Sequence, residues 1–252
     1  PTRMCKDTKE DVIDAVFDDF EANIGNPQYY QSRAIVAATN EIVNEINNNM
    51  TERLPGELTT FNSIDTVGDD DNPTSFPSEF LNKLQLSGMA EHELFLKENS
   101  VVILLRNMDI NAGHCNGTRY FVKTIGKYRL VLKKLSSEGN ENDVLILPRI
   151  PMTSSAGTKL PFVLKRLQFP IKVAFALTIN RSQGQTFAGK LGILLPRSVW
   201  THGQLYVTFS RCGNPNNVFV WADQDEFKEF IHENKLQPGK YYSRNIVYKE
   251  VV

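Results

Sequence analysis

Apolar residues return at helical spacing near the start of the chain. Thr8 and Asp11 pair as an N-terminal cap, and Val12, Ile13, Val16, Phe17 and Phe20 follow on one stripe that ends near Gly25. Residues 34–38 form a short continuous apolar run, the pattern of a strand buried on both faces. Behind Asn40 as cap, Ile42, Val43 and Ile46 resume the helical period. Residues 67–75 are acidic and loop-like, and 77–86 predict a short helix closed by Gly88. From Val101 the rhythm shortens: β-rich runs at 101–105, 119–124, 128–135, 144–147 and 161–164 predict a small barrel. Beyond Pro170 the longer rhythm returns. A helix is expected over 172–183, stopped by Gly184, then a strand at 191–195, a helix at 202–211, a strand at 218–221 and a helix at 225–231. Alternating strands and helices on both sides of a β-rich block predict the α/β class: one domain built from 1–98 and 170–252, interrupted by an inserted barrel at 99–169.

Composition narrows the class. The chain has 252 residues, 41% hydrophobic and 23% charged, which suits a buried core and argues against disorder over most of its length. No apolar run approaches a membrane span, so no membrane partner is expected. Residues 1–10 lack the apolar centre of a secretion signal, and Cys5, Cys115 and Cys212 are widely spaced, so an intracellular, reducing compartment is expected. The net charge of -1 hides a segregation. Residues 1–100 carry 7 Lys/Arg against 19 Asp/Glu, residues 101–200 carry 15 against 4, and residues 201–252 carry 6 against 6. In the middle block Arg119, Lys123, Lys127, Arg129, Lys133, Lys134, Lys165 and Arg166 interleave with Tyr120, Phe121, Tyr128, Phe162 and Phe169. Such a mixture suits a groove that neutralises phosphates and stacks bases. It suits equally a solvated face answering the acidic first third, and charge alone does not decide.

Two segments concentrate polar chemistry between buried runs: 175–187 and 202–211. A helix end presenting Thr178, Arg181, Ser182 and Gln183 offers hydroxyl, cationic and amide donors for phosphate oxygens. Arg211 follows an apolar face of Leu205, Val207 and Phe209, and an arginine fixed at a helix end suits bidentate recognition of phosphate. Ordinary polar helix ends would look the same by residue type. Tyr206 reads as core, His202 as a helix-start residue within reach of nucleotide or DNA, and Asn116-Gly117 as a hairpin turn.

Thr178-Ile-Asn-Arg-Ser-Gln-Gly-Gln-Thr186 resembles motif V of the Pif-type superfamily 1B DNA helicases, and Gly203-Gln-Leu-Tyr-Val-Thr-Phe-Ser-Arg211 resembles their motif VI. The helicase part of Helitron transposon proteins is closer still. Leu104-Leu-Arg-Asn-Met-Asp109, Cys115-Asn-Gly-Thr-Arg119, Leu147-Pro-Arg-Ile150 and Asn62-Ser-Ile-Asp65 are similar to that family's intervening blocks, and the likeness runs in order from about residue 15 to about residue 222. The resemblance implies a second RecA-like (P-loop NTPase-type) motor domain with an SH3-like barrel inserted in it. It implies that Thr39, Asn40, Thr178, Asn180, Arg181, Ser182 and Gln183, with His202, Arg119 and Lys165, meet single-stranded DNA. Gly184 and Gln185 would lie near the nucleotide, and Arg211 would reach its γ-phosphate. ATP and Mg²⁺ are the implied cofactors, held mainly by a first RecA-like domain; the implied protein is a monomeric, nuclear helicase moving 5′ to 3′. Asn180-Arg181 stands where many members carry His-Lys, and Thr208-Phe209 replaces a smaller hydrophobic pair.

The phosphate loop and Mg²⁺ carboxylate of that first domain are not recognisable, so the chain reads as the C-terminal piece of a longer helicase. Gly184-Gln-Thr-Phe-Ala-Gly-Lys190 matches the phosphate-loop pattern, but Leu191 supplies no hydroxyl for the metal and the segment leads into a strand rather than a helix. Asp223 or Asp225 reads as a cap of the following helix, and His114-Cys115 as a turn without further metal ligands at zinc spacing. The rival function is a free-standing single-strand-binding module of helicase ancestry without ATPase activity; a regulatory protein using its segregated charge for partner contacts is the third.

Overall fold

The computed structural model describes residues 4–68, 76–135, 143–154, 160–199, 201–226, 228–236, 242–243 and 245. In chain order the elements are α1 (Lys9–Val16), α2 (Phe20–Asn23), α3 (Pro27–Gln31), β1 (Ala34–Ala37), α4 (Asn40–Arg53), β2 (Thr59–Asn62), β3 (Ile64–Val67) and α5 (Ser78–Asn82). Then come β4 (Glu93–Leu96), β5 (Val101–Leu104), β6 (Arg119–Ile125), β7 (Arg129–Lys134), β8 (Val144–Pro148), β9 (Ile150–Thr153), β10 (Leu164–Gln168) and β11 (Ile171–Val173). The chain closes with β12 (Ala176–Thr178), β13 (Leu191–Leu195), α6 (Gln204–Phe209), β14 (Val218–Ala222) and α7 (Lys228–Glu233). By its contacts it divides into two units, Pro1–Asn49 with Phe175–Val252, and Met50–Ala174.

The first unit is built on a parallel sheet of order β12-β1-β13-β14. β1 and β13 are buried along their whole length, which is why they read as unbroken apolar runs. Thr8 caps α1 with the reciprocal bonds of a capping box, and Val12 and Val16 pack onto the sheet. Gly192 makes that approach possible: a Cβ there would lie 2.8 Å from Val12 Cγ1 and 3.0 Å from Val16 Cγ2. Phe17, Phe20, Tyr29, Tyr30 and Phe175 close one side in edge-to-face contacts. Burial pushes the Tyr29 and Tyr30 phenols well above their ordinary pKa. The buried Asn47 of α4 serves the outer side of β12, accepting from Ala176 N at 2.8 Å and donating to Ala176 O at 3.2 Å.

The second unit holds a five-stranded antiparallel sheet of order β11-β5-β6-β7-β8, a three-stranded sheet β3-β10-β9 and the pair β2-β4. Leu104, Tyr120, Val122, Leu130, Leu132 and Phe169 are among the residues of its main core. A smaller cluster of Val67, Leu81, Met152, Phe162 and Leu164 surrounds the buried ion pair of Arg166 and Asp65. This unit is larger than the 99–169 insert read from the sequence, because β3 pairs with β10 and brings the preceding residues with it.

The expected helix over 172–183 is instead β11, β12 and a 3₁₀ turn at Asn180–Ser182. Its apolar residues are buried on successive positions, and short runs of that kind carry no period that separates strand from helix; pairing with β1 decides. The strand expected at 161–164 begins only at Leu164, and the 202–211 helix is shorter at both ends. Tyr206, expected in the core, is 77% exposed. Thr208 takes the inward position of α6, its hydroxyl donating to Gln204 O, and residues two apart on a helix point to nearly opposite sides. Asn40 is the first residue of α4 and Val43 N bonds Thr39 O, so Thr39 rather than Asn40 occupies the cap. The acidic loop at 69–75 lies outside the described residues.

Candidate nucleotide and nucleic-acid interface

In parallel sheets, ligands gather beyond the carboxyl ends of strands. β1 and β12 are neighbours with Ala37 opposite Thr178, so the residues leaving both strands emerge side by side. Ile179 N donates to Ala37 O at 3.1 Å and fixes the start of the 3₁₀ turn. Thr39 and Asn40 thus follow the end of one strand, and Thr178, Asn180 and Arg181 stand at the end of its neighbour. Asn40, Asn180 and Gln183 are exposed, while Thr39, Thr178 and Arg181 are half-buried. The Thr39 hydroxyl oxygen is buried and has no hydrogen-bond partner among the described residues, a state that folded proteins reserve for few polar atoms. Ser182 differs from expectation. It is fully buried, and its hydroxyl donates to Ile179 O at 2.7 Å, so it holds the turn rather than facing a ligand.

Past the turn, Gly184 adopts φ +80° with open space where a Cβ would stand, a conformation that favours glycine. Gln185 N donates to Ser182 O and its side-chain amide donates to Arg181 O. Here the two polar segments of the sequence meet. Arg211 Nη1 donates to Gln185 O at 3.2 Å, Nε to Val207 O at 3.0 Å and Nη2 to Ser210 Oγ at 2.8 Å. The backbone returns the contact, with Phe187 N donating to Arg211 O at 2.8 Å. The half-buried guanidinium is therefore anchored to its own helix and to the loop that follows the 3₁₀ turn. His202 lies in the turn before α6, whose entry is the left-handed Gly203 at φ 75°.

The phosphate-loop look-alike ends in Lys190, whose ammonium pairs with Asp18 at 2.6 Å just before β13 begins. Burial alone would raise the Asp18 carboxyl, but Lys190 and Arg33 outweigh it and hold the carboxyl below its ordinary value. Asp223 Oδ1 accepts from Asp225 N in a local turn, five residues before α7 begins at Lys228, so this bond does not cap that helix. His114 Nδ1 lies 2.8 Å from the Tyr120 hydroxyl.

Two cations of the second unit need correction as a surface. Arg119 is interior: it donates to Ala174 O at 3.2 Å, and burial brings its guanidinium down to about 10. Arg166 is interior as well, bonding both oxygens of Asp65 at 2.8 and 2.7 Å. The signal for Arg166 was present in the sequence, since the alternation of β10 puts it on the same face as the buried Leu164 and Gln168. Lys165, on the opposite face, is half-buried.

Residues 79–125 match the family model described as DNA helicase Pif1, 2B domain. The ATP-dependent DNA helicase Pif1 of Campylobacter jejuni is 27% identical over 150 residues, covering 60% of this chain and 27% of that protein. The chain spans about a quarter of the length of the curated relatives it matches. Its fold is that of Pif1 structures. The crystal structure of Pif1 helicase from Candida albicans aligns with TM-score 0.59 and 21% identity over 90% of this chain and 57% of that one. Bacteroides Pif1 bound to ssDNA aligns with TM-score 0.55 and 19% identity over 97% of this chain and 57% of that one. In its matched segment, its relatives and its α/β fold, the chain is similar to Pif1 DNA helicases.

Proposed function

We propose that this chain is the C-terminal motor portion of an ATP-dependent 5′-to-3′ DNA helicase. Its parallel-sheet unit is the second RecA-like domain, gripping single-stranded DNA and presenting Arg211 to the γ-phosphate of MgATP held by a first RecA-like domain. The observation that carries this reading is the bond from Arg211 Nη1 to Gln185 O. It ties a phosphate-seeking guanidinium to the loop that leaves the polar turn at Asn180–Ser182, so the nucleotide end and the strand-gripping end share one segment. MgATP supplies the phosphoryl group whose transfer drives movement. Arg211 contributes a guanidinium oriented beforehand by Val207 and Ser210, able to stabilise negative charge without rearranging first. The open space beside Gly184 leaves room for an anion near it.

On the DNA side we assign Thr39, Asn40, Thr178, Asn180, Arg181 and Gln183, with His202 and Lys165 as outer contacts. Arg119 and Ser182 leave the set because both are buried and donate to interior carbonyls, those of Ala174 and Ile179. An SH3-like identity for the five-stranded unit, a Helitron-type origin, a monomeric state and a nuclear location belong to the same reading.

MgATP turnover of the chain alone, with and without single-stranded DNA and beside Lys190→Ala, tests the reading first. No turnover is expected in any condition. Turnover abolished by Lys190→Ala would overturn the assignment of 184–190 as a connecting loop. In a helicase carrying both motor domains, Arg211→Ala is expected to lower kcat by about 10³ to 10⁵ and to leave nucleotide-free DNA affinity unchanged. Tight, salt-sensitive strand binding by the chain alone that outlives Arg211→Ala, with no turnover in the two-domain protein, would favour the free-standing binding module.

A further inference from the structure

The second unit contains a cleft of about 520 Å³ whose lining includes Glu79, Lys83, Glu91, His92, Glu93 and Phe95. One wall is α5 and the turn after it. Buried Arg166 sets that wall: while its guanidinium grips Asp65, it also donates to the carbonyls of Leu81 at 3.1 Å, Leu84 at 3.2 Å and Ala90 at 2.9 Å. The other wall is β4, which pairs only with β2 among the described residues. Ser63 N donates to His92 O at 2.8 Å, and Phe61 stands opposite Leu94. Antiparallel pairs alternate, so the backbone groups of Glu93 and Phe95 point away from β2. A preformed cleft therefore runs beside a strand edge that no other strand takes up, the arrangement that receives an added strand.

The chemistry of the lining selects what could enter. The lining holds three carboxylates, Glu79, Glu91 and Glu93, against one ammonium, that of Lys83. Glu91 pairs with Lys172 at 2.8 Å, whereas Glu79 and Glu93 form no ion pair among the described residues. Phe95 is 41% exposed and offers an aromatic face to a cation or to its aliphatic stem. His92 adds an acceptor. The Ser63 hydroxyl donates to Asp65 Oδ1 at 2.7 Å, so the contact of 2.8 Å between Ser63 and His92 Nδ1 must be donated by the imidazole, which leaves Nε2 unprotonated in the neutral ring. Nucleic acid would meet repulsion here. We propose that this cleft binds an extended, lysine- or arginine-bearing segment of a partner protein. The segment lies as a strand beside β4, with a cationic side chain between Glu79 and Glu93 and against Phe95. None of its lining residues is among those assigned to the motor site, and the inference stands or falls independently of the helicase reading.

The probe is a synthetic peptide alternating lysine with valine, titrated into the full chain labelled with ¹⁵N. The amide signals of Glu93 and Phe95 are expected to move first. Reversing charge in the double variant Glu79→Lys, Glu93→Lys is expected to weaken binding about tenfold at low salt, and Phe95→Ala to weaken it separately. The exposed glutamates can also be made Gln, so an unchanged spectrum elsewhere in the chain separates lost binding from lost folding. Binding indifferent to both glutamate variants overturns the proposal. So does an equal response to a glutamate-valine peptide, and so does a single-stranded oligothymidylate that shifts the same two amides.

Discussion

Replacing Asp65 by Ala would strike the second unit at its most concentrated polar site. Both side chains of the Asp65–Arg166 pair are fully buried, and two charge-assisted bonds of 2.8 and 2.7 Å join them. The variant leaves a guanidinium inside the protein without its counter-ion, a change that typically costs about 3–5 kcal/mol. Arg166 keeps the carbonyls of Leu81, Leu84 and Ala90, which solvate it in part, so the lower end, about 3 kcal/mol, is expected. With a urea slope of about 1–3 kcal/mol/M, the midpoint should fall by roughly 1–3 M. Trp221 lies on β14 of the first unit, and residues 50–174 contain no tryptophan. Tryptophan fluorescence therefore reports that unit, and hydrogen exchange across residues 50–174 must report the other. The loss should be confined to the latter. The pair Asp65→Leu with Arg166→Met should regain most of it, because no buried charge remains. A loss under about 1 kcal/mol, or a double variant weaker than Asp65→Ala, would refute the view that counter-ion removal dominates.

Gly192→Ala places a methyl group 2.8 Å from Val12 and 3.1 Å from Ile35, so thermal unfolding should show a loss of about 1–3 kcal/mol. Thr8→Ala removes the capping box of α1 and should cost about 1 kcal/mol in the same assay. Lys190→Ala should raise the Asp18 carboxyl toward its ordinary value, as read by NMR titration. Because the folded-state pKa of Asp18 lies below the unfolded one, the stability from this partly exposed pair is present above the ordinary carboxylate pKa of about 3.9 and disappears as pH falls through the lower folded value. The difference between parent and variant should vanish there. Ser182→Ala should loosen the 3₁₀ turn and weaken single-strand binding although the hydroxyl faces inward; unchanged affinity would remove its positioning role.

The parallel sheet was legible where both faces are buried. β1 and β13 announced themselves as unbroken apolar runs, and α1 as a capped stripe. β2, β3, β4 and β9 escaped notice because each is only four residues long, too short for a period to set it apart from a loop. The 171–178 segment misled for the opposite reason: an apolar stretch between two units supports either period, and only its neighbours β5 and β1 make it two strands. Motif residues marked two segments that the structure joins through Arg211 and Gln185, but not which way each side chain points. Ser182 and Arg119 have the right chemistry and the wrong direction. The cleft beside β4 left no mark in the sequence, since residues fourteen positions apart, Glu79 and Glu93, acquire a common purpose only after Arg166 pins the turn between them.

The amide of Asn47 has a mechanical consequence. It is the kind of side chain that can give and take a bond at once, and it does so with the two backbone groups of Ala176. An aspartate could only accept and a leucine could do neither. The helix that begins at Asn40 and the strand that ends at Thr178 are thereby stapled together behind the residues they present. A pull on a nucleic-acid strand held at either place would be borne by both, so the grip should shift as one jaw rather than as two loosely sprung fingers.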